Sequence, residues 1–573
     1  MKLNRDTPNF RRRRTGDSRF APGMGLALAL ALVFSTAAAF QTVAQPSAAR
    51  SLPTAASASS AAIPEAGLKL TTDALLDSLQ RTAFLFFWNE ANPVNGLIRD
   101  RNQSWSPCSI ASQGFGISAI CIGIDHGWVS REDGRARIML GMQTLWDGPQ
   151  GDGAYNVNGY RGLFYHFLDF NSGYRTWDCE LSTIDTALLM AGILDAKQYF
   201  STDDPGDIAL RDLADSLYYR VDWDFMRGGA PALRMGWKPG TEFSGFGYWL
   251  GYNEAMILYL LALGSPTHAI PASNWDTWTG TYDWATYYGQ TYVVFPPLFG
   301  HQYSHCWIDF RGIQDAYMRD RGIDYFENSR RATLAQQAYC IDNPYGWAGY
   351  SATTWGLTAS DDPDGYLAHG APPAQNDNGT ITPTAAASSI VFAPEIVIPT
   401  LHNFYDAYGP VLWGEYGFKD AFNLTRFWWG TDNIGIDQGP IIIMIENYLG
   451  ESVWDRFMEN PDIANGLAAA DFQAITAVRP DAGTSVAYLA LGQNAPNPFS
   501  GTATVSYRVA EPGPVSLRVY DAMGRCVRTF SGRAEDKGPQ QIVLDAAGLP
   551  SGVYFYSLEA HGRTAWRRCV VVQ

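Results

Sequence analysis

Residues 248–264 read YWLGYNEAMILYLLALG. From Ala255 onward the run is apolar on every side that a helix could present, which predicts a buried helix over 252–263. Apolar residues recur at the same three- and four-residue spacing in 72–90, 113–126, 131–146, 183–200, 207–221, 307–321, 325–341, 388–408 and 438–449. Between these helices lie loops rich in Gly, Trp and Asn, notably 147–181, 223–251 and 343–383. A helical region of roughly 400 residues with such loops predicts a mainly α fold, an α/α toroid whose inner helix ends and loops line one central cleft.

The pattern changes after about Ala487. The segments ATVSYRV, PVSLRVYD, QIVLD and GVYFYSLEA alternate with period two, and EPGP, GLPSG and AHGR supply turns. This predicts a small C-terminal β-sandwich. Charge changes with it, since residues 501–573 hold nine Lys/Arg against six Asp/Glu. At the other end, a basic stretch, an apolar run and the small residues Ala37-Ala38-Ala39 read as a secretory signal peptide. The expected organisation is therefore a signal peptide at 1–39, a low-complexity linker at 40–66 and a helical domain at 67–473. A second linker at 474–487 leads to the sandwich at 488–573.

Composition narrows the partners. The 573 residues carry a net charge of −16, which argues against nucleic acid, anionic membrane surfaces and polyanionic substrates. No segment after the signal offers the roughly 18 apolar residues of a transmembrane helix. Aromatics make up 14% of the chain, with 19 Trp and 30 Tyr, many beside Gly, Asn and Asp. That mixture suits a cleft in which ring faces stack on sugars, although a core rich in aromatics would give the same composition. The seven cysteines are scattered, with no CxxC knuckle, so export permits a disulfide without implying one.

Exported, acidic and rich in Trp, the chain points to glycoside hydrolysis, which needs one protonated carboxyl and one carboxylate. Glu254 interrupts the apolar run as its lone acid. It is either an acid placed for chemistry or a first-turn residue complementing the helix dipole. The dipole would lower its pKa, whereas a general acid needs it raised, so desolvation by Tyr248, Trp249 and Tyr252 would have to win. Asp437 repeats the pattern before the apolar helix of GIDQGPIIIMIENYLG (435–450), with an N-cap as its competing role. Asp178, Glu180 and Asp185 cluster near Trp177 in TWDCELSTID (176–185). Ser182 and Asp185 have capping-box spacing, and the other two acids could equally be solvated loop charges. ASDDPDGY (359–366) lacks a full calcium-ligand ladder and reads as a surface turn. His301 and His305 lack a third ligand for zinc.

Taken together, DCELSTIDTALLMAGIL, GYNEAMILYLLALGSPTH, FGHQYSHCWIDFRGIQD, WGLTASDDPDGY, NDNGTITPTAAASSIVFAPE, LWGEYGFKDAFN and GIDQGPIIIMIEN resemble the glucoamylase-like family of (α/α)6 toroids. That family includes bacterial β-1,2-glucanases. The resemblance covers about residues 70–472. It implies Glu254 as general acid and Asp437 as general base of an inverting hydrolysis of a neutral glucan, most plainly a β-1,2-glucan, without cofactor or metal. It also implies that Asp178, Glu180 and Asp185 hold substrate, and that Trp177, Trp249, Trp355 and Arg311 contact it in the cleft. QNAPNPF and GLPSGVYFY resemble the C-terminal sorting domain of the type IX secretion system, a FlgD-like Ig module. That resemblance implies the type IX machinery as partner, and a protein secreted from, or held at the outer surface of, a Gram-negative cell. Two rival functions remain at this stage: a polysaccharide lyase on the same toroid, which the acidity opposes, and a non-catalytic surface glycan-binding protein.

Overall fold

The computed structural model describes residues 70–475, 489–509, 512–521, 525–534, 538–560 and 563–572. The signal segment, the first linker and most of the second lie outside the described residues. The chain divides into two compact units after Gln473.

The first unit is built from α1 (Thr72–Asn89), α2 (Ile110–Asp125), α3 (Arg131–Asp147), α4 (Thr183–Tyr199), α5 (Pro205–Tyr219), α6 (Met256–Gly264), α7 (Ser273–Thr279), α8 (Ala316–Arg321), α9 (Tyr325–Asp342), α10 (Pro383–Ala387), α11 (Pro394–Leu412), α12 (Gly435–Leu449), α13 (Ser452–Met458) and α14 (Pro461–Ala469). Six elements form an inner ring: α2, α4, α6, a pair of 3-10 turns (Leu298–His301 and Ser304–Cys306), α10 and α12, which returns to α2. The 3-10 pair is tied into the ring on both sides. Ser304 Oγ accepts from Ile257 N–H (3.0 Å), and Gln302 Nε2 donates to the Ala385 carbonyl (2.8 Å). Outside them, α1 packs on α2 and α12, α3 on α2, α5 on α4, α14 on α6, α9 on the 3-10 turns and α11 on α10. This is the (α/α)6 toroid.

Layering follows from the side chains. Every residue of α6 is buried, as are Ile110–Gly123 of α2, because inner helices meet protein on all sides. Outer α5 buries only one stripe, Asp207, Leu210, Ala214, Leu217 and Tyr218. The closest inner contact is α2 against α4, where Gly114 and Gly192 face each other's backbones.

Three expectations need correcting. The helix expected over 307–321 exists only as α8. Trp307, Ile308 and Phe310 are apolar because they enter the core from irregular backbone, and Gly312 then turns at φ +71°. The helix expected over 388–408 starts later, as α11 at Pro394: residues 388–392 are turns that follow α10, and both helices open on a proline at a first-turn position where its missing N–H costs nothing. The stretch 359–366 is no mere surface turn. Ala359–Asp362 and Gly365–Ala368 pair as a hairpin that dips into the acidic cluster described below.

In the second unit the strands Leu489–Ala495, Thr502–Val509 and Gly538–Asp545 form one antiparallel sheet in that order. Cys526–Ala534, Gly513–Asp521, Gly552–Ala560 and Arg563–Val571 form the other. Alternate residues, among them Val505, Leu517, Val519, Leu544, Tyr556 and Leu558, fill one core, the pattern of a β-sandwich.

Candidate active site

The inner ring brings three sequence-distant acids to one end of the toroid. Asp185 lies in the first turn of α4, Glu254 two residues before α6, and Asp437 in the first turn of α12. Ser304 pins Glu254, donating its Oγ–H to the Glu254 carbonyl (3.1 Å) while accepting from Ile257 N–H. Asn253 Oδ1 accepts from Ala255 N–H (3.0 Å), so the turn entering α6 is held on both sides. Tyr303, buried, feels the charges of both Asp437 and Glu254.

Glu254 is half-exposed to the cleft but otherwise enclosed by protein. Burial pushes its carboxyl up to about 7. The backbone N–H hydrogen bond pulls the other way, and the nearby Asp185 adds to the rise. Desolvation therefore wins over the helix start, the outcome a general acid requires.

Asp437 belongs to a second cluster. It is buried, and Ile434, not Asp437, is the N-cap of α12. Burial raises its carboxyl, and a hydrogen bond with Asp420 draws it back down. Asp420 is itself driven well above the usual range by burial and by Asp437. Asp437 thus stands at about 7, with Asp420 beside it held further above the usual range. Behind them a single guanidinium serves several acids. Arg101 Nη1 lies 3.0 Å from Asp361 Oδ2 and 3.1 Å from Asp432 Oδ2, with Asp100 beside it. One cation cannot neutralise so many carboxylates, and burial accordingly raises Asp100 and Asp361 as well. Tyr366, carried in by the hairpin, faces Asp437, Asp420, Asp100 and Asp361.

A third group links the two. His166 Nδ1 lies 3.0 Å from Glu180 Oε1, and its Nε2 lies 3.6 Å from Asp185 Oδ2. Burial opposes its charge, but Asp185 and Glu180 outweigh burial and raise it to about 9. The capping geometry expected at α4 is present too, because Ser182 Oγ accepts from Asp185 N–H (3.2 Å) and donates to Asp185 Oδ2 (2.5 Å). Asp185 both opens the helix and faces the cleft.

The remaining sequence candidates are dispersed. Asp178 is largely exposed and pairs with Arg175 (2.7 Å). Trp177 is 47% exposed beside Trp105. Trp249 and Trp355 were expected in the cleft but are core side chains, buried and fixed through their indole N–H groups to Thr183 (2.9 Å) and Thr400 (2.7 Å). Neither offers a free ring face. Arg311 also sits elsewhere. It bridges Asp309 and Glu451 and covers Trp454, beyond the C-terminal end of α12. The 15 residues of α12 put it roughly 20 Å from the Asp437 end at 1.5 Å per residue. His301 and His305 are buried beside the Phe295 carbonyl and Ser329, and burial holds both down at about 3. No group of metal-ligating side chains occurs among the described residues, and all seven cysteines are free thiols.

Sequence reasoning missed Asp100, Arg101, His166, Tyr303, Asp361, Tyr366, Asp420 and Asp432. Most come from loops and the hairpin. The available signal was the density of acids in WGLTASDDPDGY and LWGEYGFKDAFN, two stretches that already carried the family resemblance.

Comparison with known proteins agrees with this architecture. Residues 247–461 match the family described as "Putative glucoamylase", and residues 495–573 match a secretion system C-terminal sorting domain. A curated relative from Parabacteroides distasonis, an exo β-1,2-glucooligosaccharide sophorohydrolase acting at the non-reducing end, is 32% identical over 431 residues. That alignment takes in 70% of this chain and 58% of the relative, so the chain spans under two thirds of that protein's length. Among solved structures, an endo-β-1,2-glucanase from Chitinophaga pinensis, in complex with sophorotriose and glucose, is 32% identical with a TM-score of 0.66. That match covers 71% of this chain and 99% of the other. A protein from Bacteroides uniformis described as a putative glucoamylase is 37% identical with the same TM-score, covering 71% and 99%. With identity of this order across nearly the whole of those proteins, the chain belongs to the glucoamylase-like family of (α/α)6 toroids, extended by a C-terminal secretion sorting domain.

Proposed function

We propose that this protein is an exported glycoside hydrolase that cleaves β-1,2-linked glucan, with Glu254 as general acid and Asp437 as general base of an inverting displacement. The observation that carries the reading is the convergence of Glu254 and Asp437, from the starts of two separate inner-ring helices, on Tyr303 at one end of the toroid. Glu254 titrates near 7, so much of it holds a proton at neutral pH. Burial raises Asp437 to about 7 as well, and Asp420 beside it draws that carboxyl back towards its ionised form. One carboxyl can then protonate the departing glycosidic oxygen while the other activates water. His166, charged and held by Glu180 and Asp185, supplies a donor for sugar hydroxyls beside Glu254. Both proton transfers run on side chains of this chain.

The linkage rests on the relatives, whose printed activities are on β-1,2-glucans and their oligosaccharides. The helical unit at 67–473 is read as the catalytic domain. The sandwich at 488–573, with its sorting-domain match, is read as the module that delivers it through the type IX machinery to the surface of a Gram-negative cell or beyond, after the N-terminal signal is removed.

Purified protein would be assayed for reducing-end release from β-1,2-, β-1,3- and α-1,4-glucans, beside Glu254→Gln and Asp437→Asn. Hydrolysis of the β-1,2 polymer that both substitutions abolish is the expected result, with inversion visible in the anomer first formed. Full activity in Glu254→Gln would remove it from the acid role. Unsaturated products absorbing near 235 nm would turn the reading to a lyase, and binding without cleavage would turn it to a glycan-binding protein.

A further inference from the structure

Trp105 has 58% of its surface free, above Trp177 at 47% and Trp146 at 38%, on a loop that is anything but loose. Arg99 Nη1 donates to the carbonyls of Gln103 (3.2 Å), Ser104 (2.9 Å) and Ser106 (2.9 Å) from beneath. Gln103 Nε2 donates to Asp432 Oδ1 (2.6 Å), tying the same loop to the acidic cluster. Arg101, which pairs with Asp361 and Asp432, lies 5.9 Å from the Trp105 ring centroid.

Facing it is Trp177, whose ring centroid lies 6.2 Å from that of Trp105. Trp177 and Asp178 adopt left-handed backbone, at φ 58° and 50°, which bulky residues adopt only when their surroundings impose it. Here Arg175 imposes it, donating to the Cys179 carbonyl (2.8 Å), the Ala154 carbonyl (3.2 Å) and Asp178 (2.7 Å). Trp177 is also joined to the acids. It packs on Phe167 (5.1 Å), which stacks on His166 (3.9 Å), the partner of Glu180 and Asp185.

Trp177 lines two open cavities. One, of about 270 Å³, is shared with Trp105, Arg99, Asp169 and Asn171; the other, of about 280 Å³, is shared with Tyr155 and Asp178. Each lies near the small end of ligand-pocket sizes. Ring faces set among Arg, Asp and Asn side chains suit pyranoses, whose CH faces stack while their hydroxyls need polar partners.

We infer that Trp105 and Trp177 form a distal subsite, continuous with the carboxylate cleft, that grips glucosyl units of the glucan chain away from the bond being cut, with Tyr155 at its rim. The inference rests on the glucan reading above. Two indoles held exposed on clamped loops have lost their conformational freedom before any sugar arrives, which is how such a subsite gains affinity. Its contribution belongs to binding and not to the chemical step.

The test uses the full chain. Calorimetric titration of long β-1,2-glucan into Glu254→Gln is compared with the same protein also carrying Trp105→Ala, Trp177→Ala or Trp105→Phe. Affinity should fall about tenfold in each alanine variant and be largely kept by Trp105→Phe, which retains a ring face. With the active enzyme, Trp105→Ala should raise KM for the polymer and leave kcat within about twofold. Unchanged affinity in both alanine variants, or a loss confined to kcat, would overturn the subsite. Failure of the parent reading looks different. If the unsubstituted chain cleaves no glucan while Glu254→Gln binds it in a Trp105-dependent way, the subsite stands and the hydrolase assignment falls. If no variant binds glucan, the subsite falls.

Discussion

His166 and Glu180 form an ion pair with Nδ1 and Oε1 3.0 Å apart, and each holds the other charged well beyond its ordinary range. Burial works against both charges, but Asp185 and then Glu180 outweigh it at His166, and the His166 hydrogen bond outweighs it at Glu180. His166 is raised from 6.5 to about 9, and Glu180 is lowered from 4.5 to about 2. The raised His166 contributes stability that is fully present below about pH 6.5 and is lost as pH climbs through about 9. The depressed Glu180 contributes stability that is present above about 4.5 and is lost as pH falls towards 2. Melting temperature measured against pH should therefore decline in both windows. In His166→Asn the decline between 6.5 and 9 should shrink to the part left by the raised carboxyls, at an overall cost of about 2 kcal/mol. A wild-type curve flat from 6.5 to 9 would refute the pairing.

Glu254 makes a kinetic prediction. A general acid works only while protonated, so kcat/KM should fall as pH rises through about 7, the value to which burial pushes this carboxyl in the free protein. Glu254→Gln should lower kcat by roughly 10²–10⁴ and erase that alkaline limb from the residual activity. A limb surviving in Glu254→Gln would belong to another group.

What the sequence made legible was whatever is written in consecutive residues. The apolar helices around Glu254 and Asp437 could be read from periodicity, and the two acids stood out because Glu254 is the lone charge in its run and Asp437 shares its run only with Glu446. The groups that tune them could not be read this way. Arg101 meets Asp361 from 260 positions away and Asp432 from 331 positions away, contacts that only the closed ring creates. Tryptophans show the same limit. Trp355 and Trp177 sit in similar Gly- and Thr-rich surroundings, yet one is sealed in the core and the other stands half in solvent. Local sequence carries the backbone pattern, whereas exposure is decided by which distant segment lies across the ring.

The influence of Asp420 on Asp437 can be tested with one isosteric and one truncating substitution. Asp420→Asn keeps a donor aimed at Asp437, so activity should stay within about tenfold of the unsubstituted protein. Asp420→Ala removes that hydrogen bond, the influence that lowers the Asp437 carboxyl against its burial. The Asp437 pKa should rise, and the acid limb of the pH–rate profile should move to higher pH. Asp437→Asn should lose roughly 10²–10⁴ in kcat whatever stands at 420. Equal profiles for Asp420→Asn and Asp420→Ala would mean that Asp420 does not tune Asp437.

The contact between α2 and α4 sets the frame on which Asp185 is presented, and it depends on two glycines. A Cβ on Gly114 would lie 2.2 Å from the Leu188 carbonyl oxygen, and one on Gly192 would lie 2.0 Å from the Gly114 carbonyl oxygen. These neighbours are backbone atoms of buried helices, so no flexible side chain can yield. Relief requires the helices to part. Gly114→Ala and Gly192→Ala should each cost about 1–3 kcal/mol, or more where the ring cannot adjust. Gly409 provides the control, since it lies inside α11 with nothing within 4 Å of its added Cβ. There alanine should be neutral or stabilising by about 0.5–1 kcal/mol, because only the helix propensity and unfolded-state entropy change. Thermal denaturation of the three variants side by side checks this. A Gly192→Ala protein as stable as Gly409→Ala would show that the inner helices are not in backbone contact.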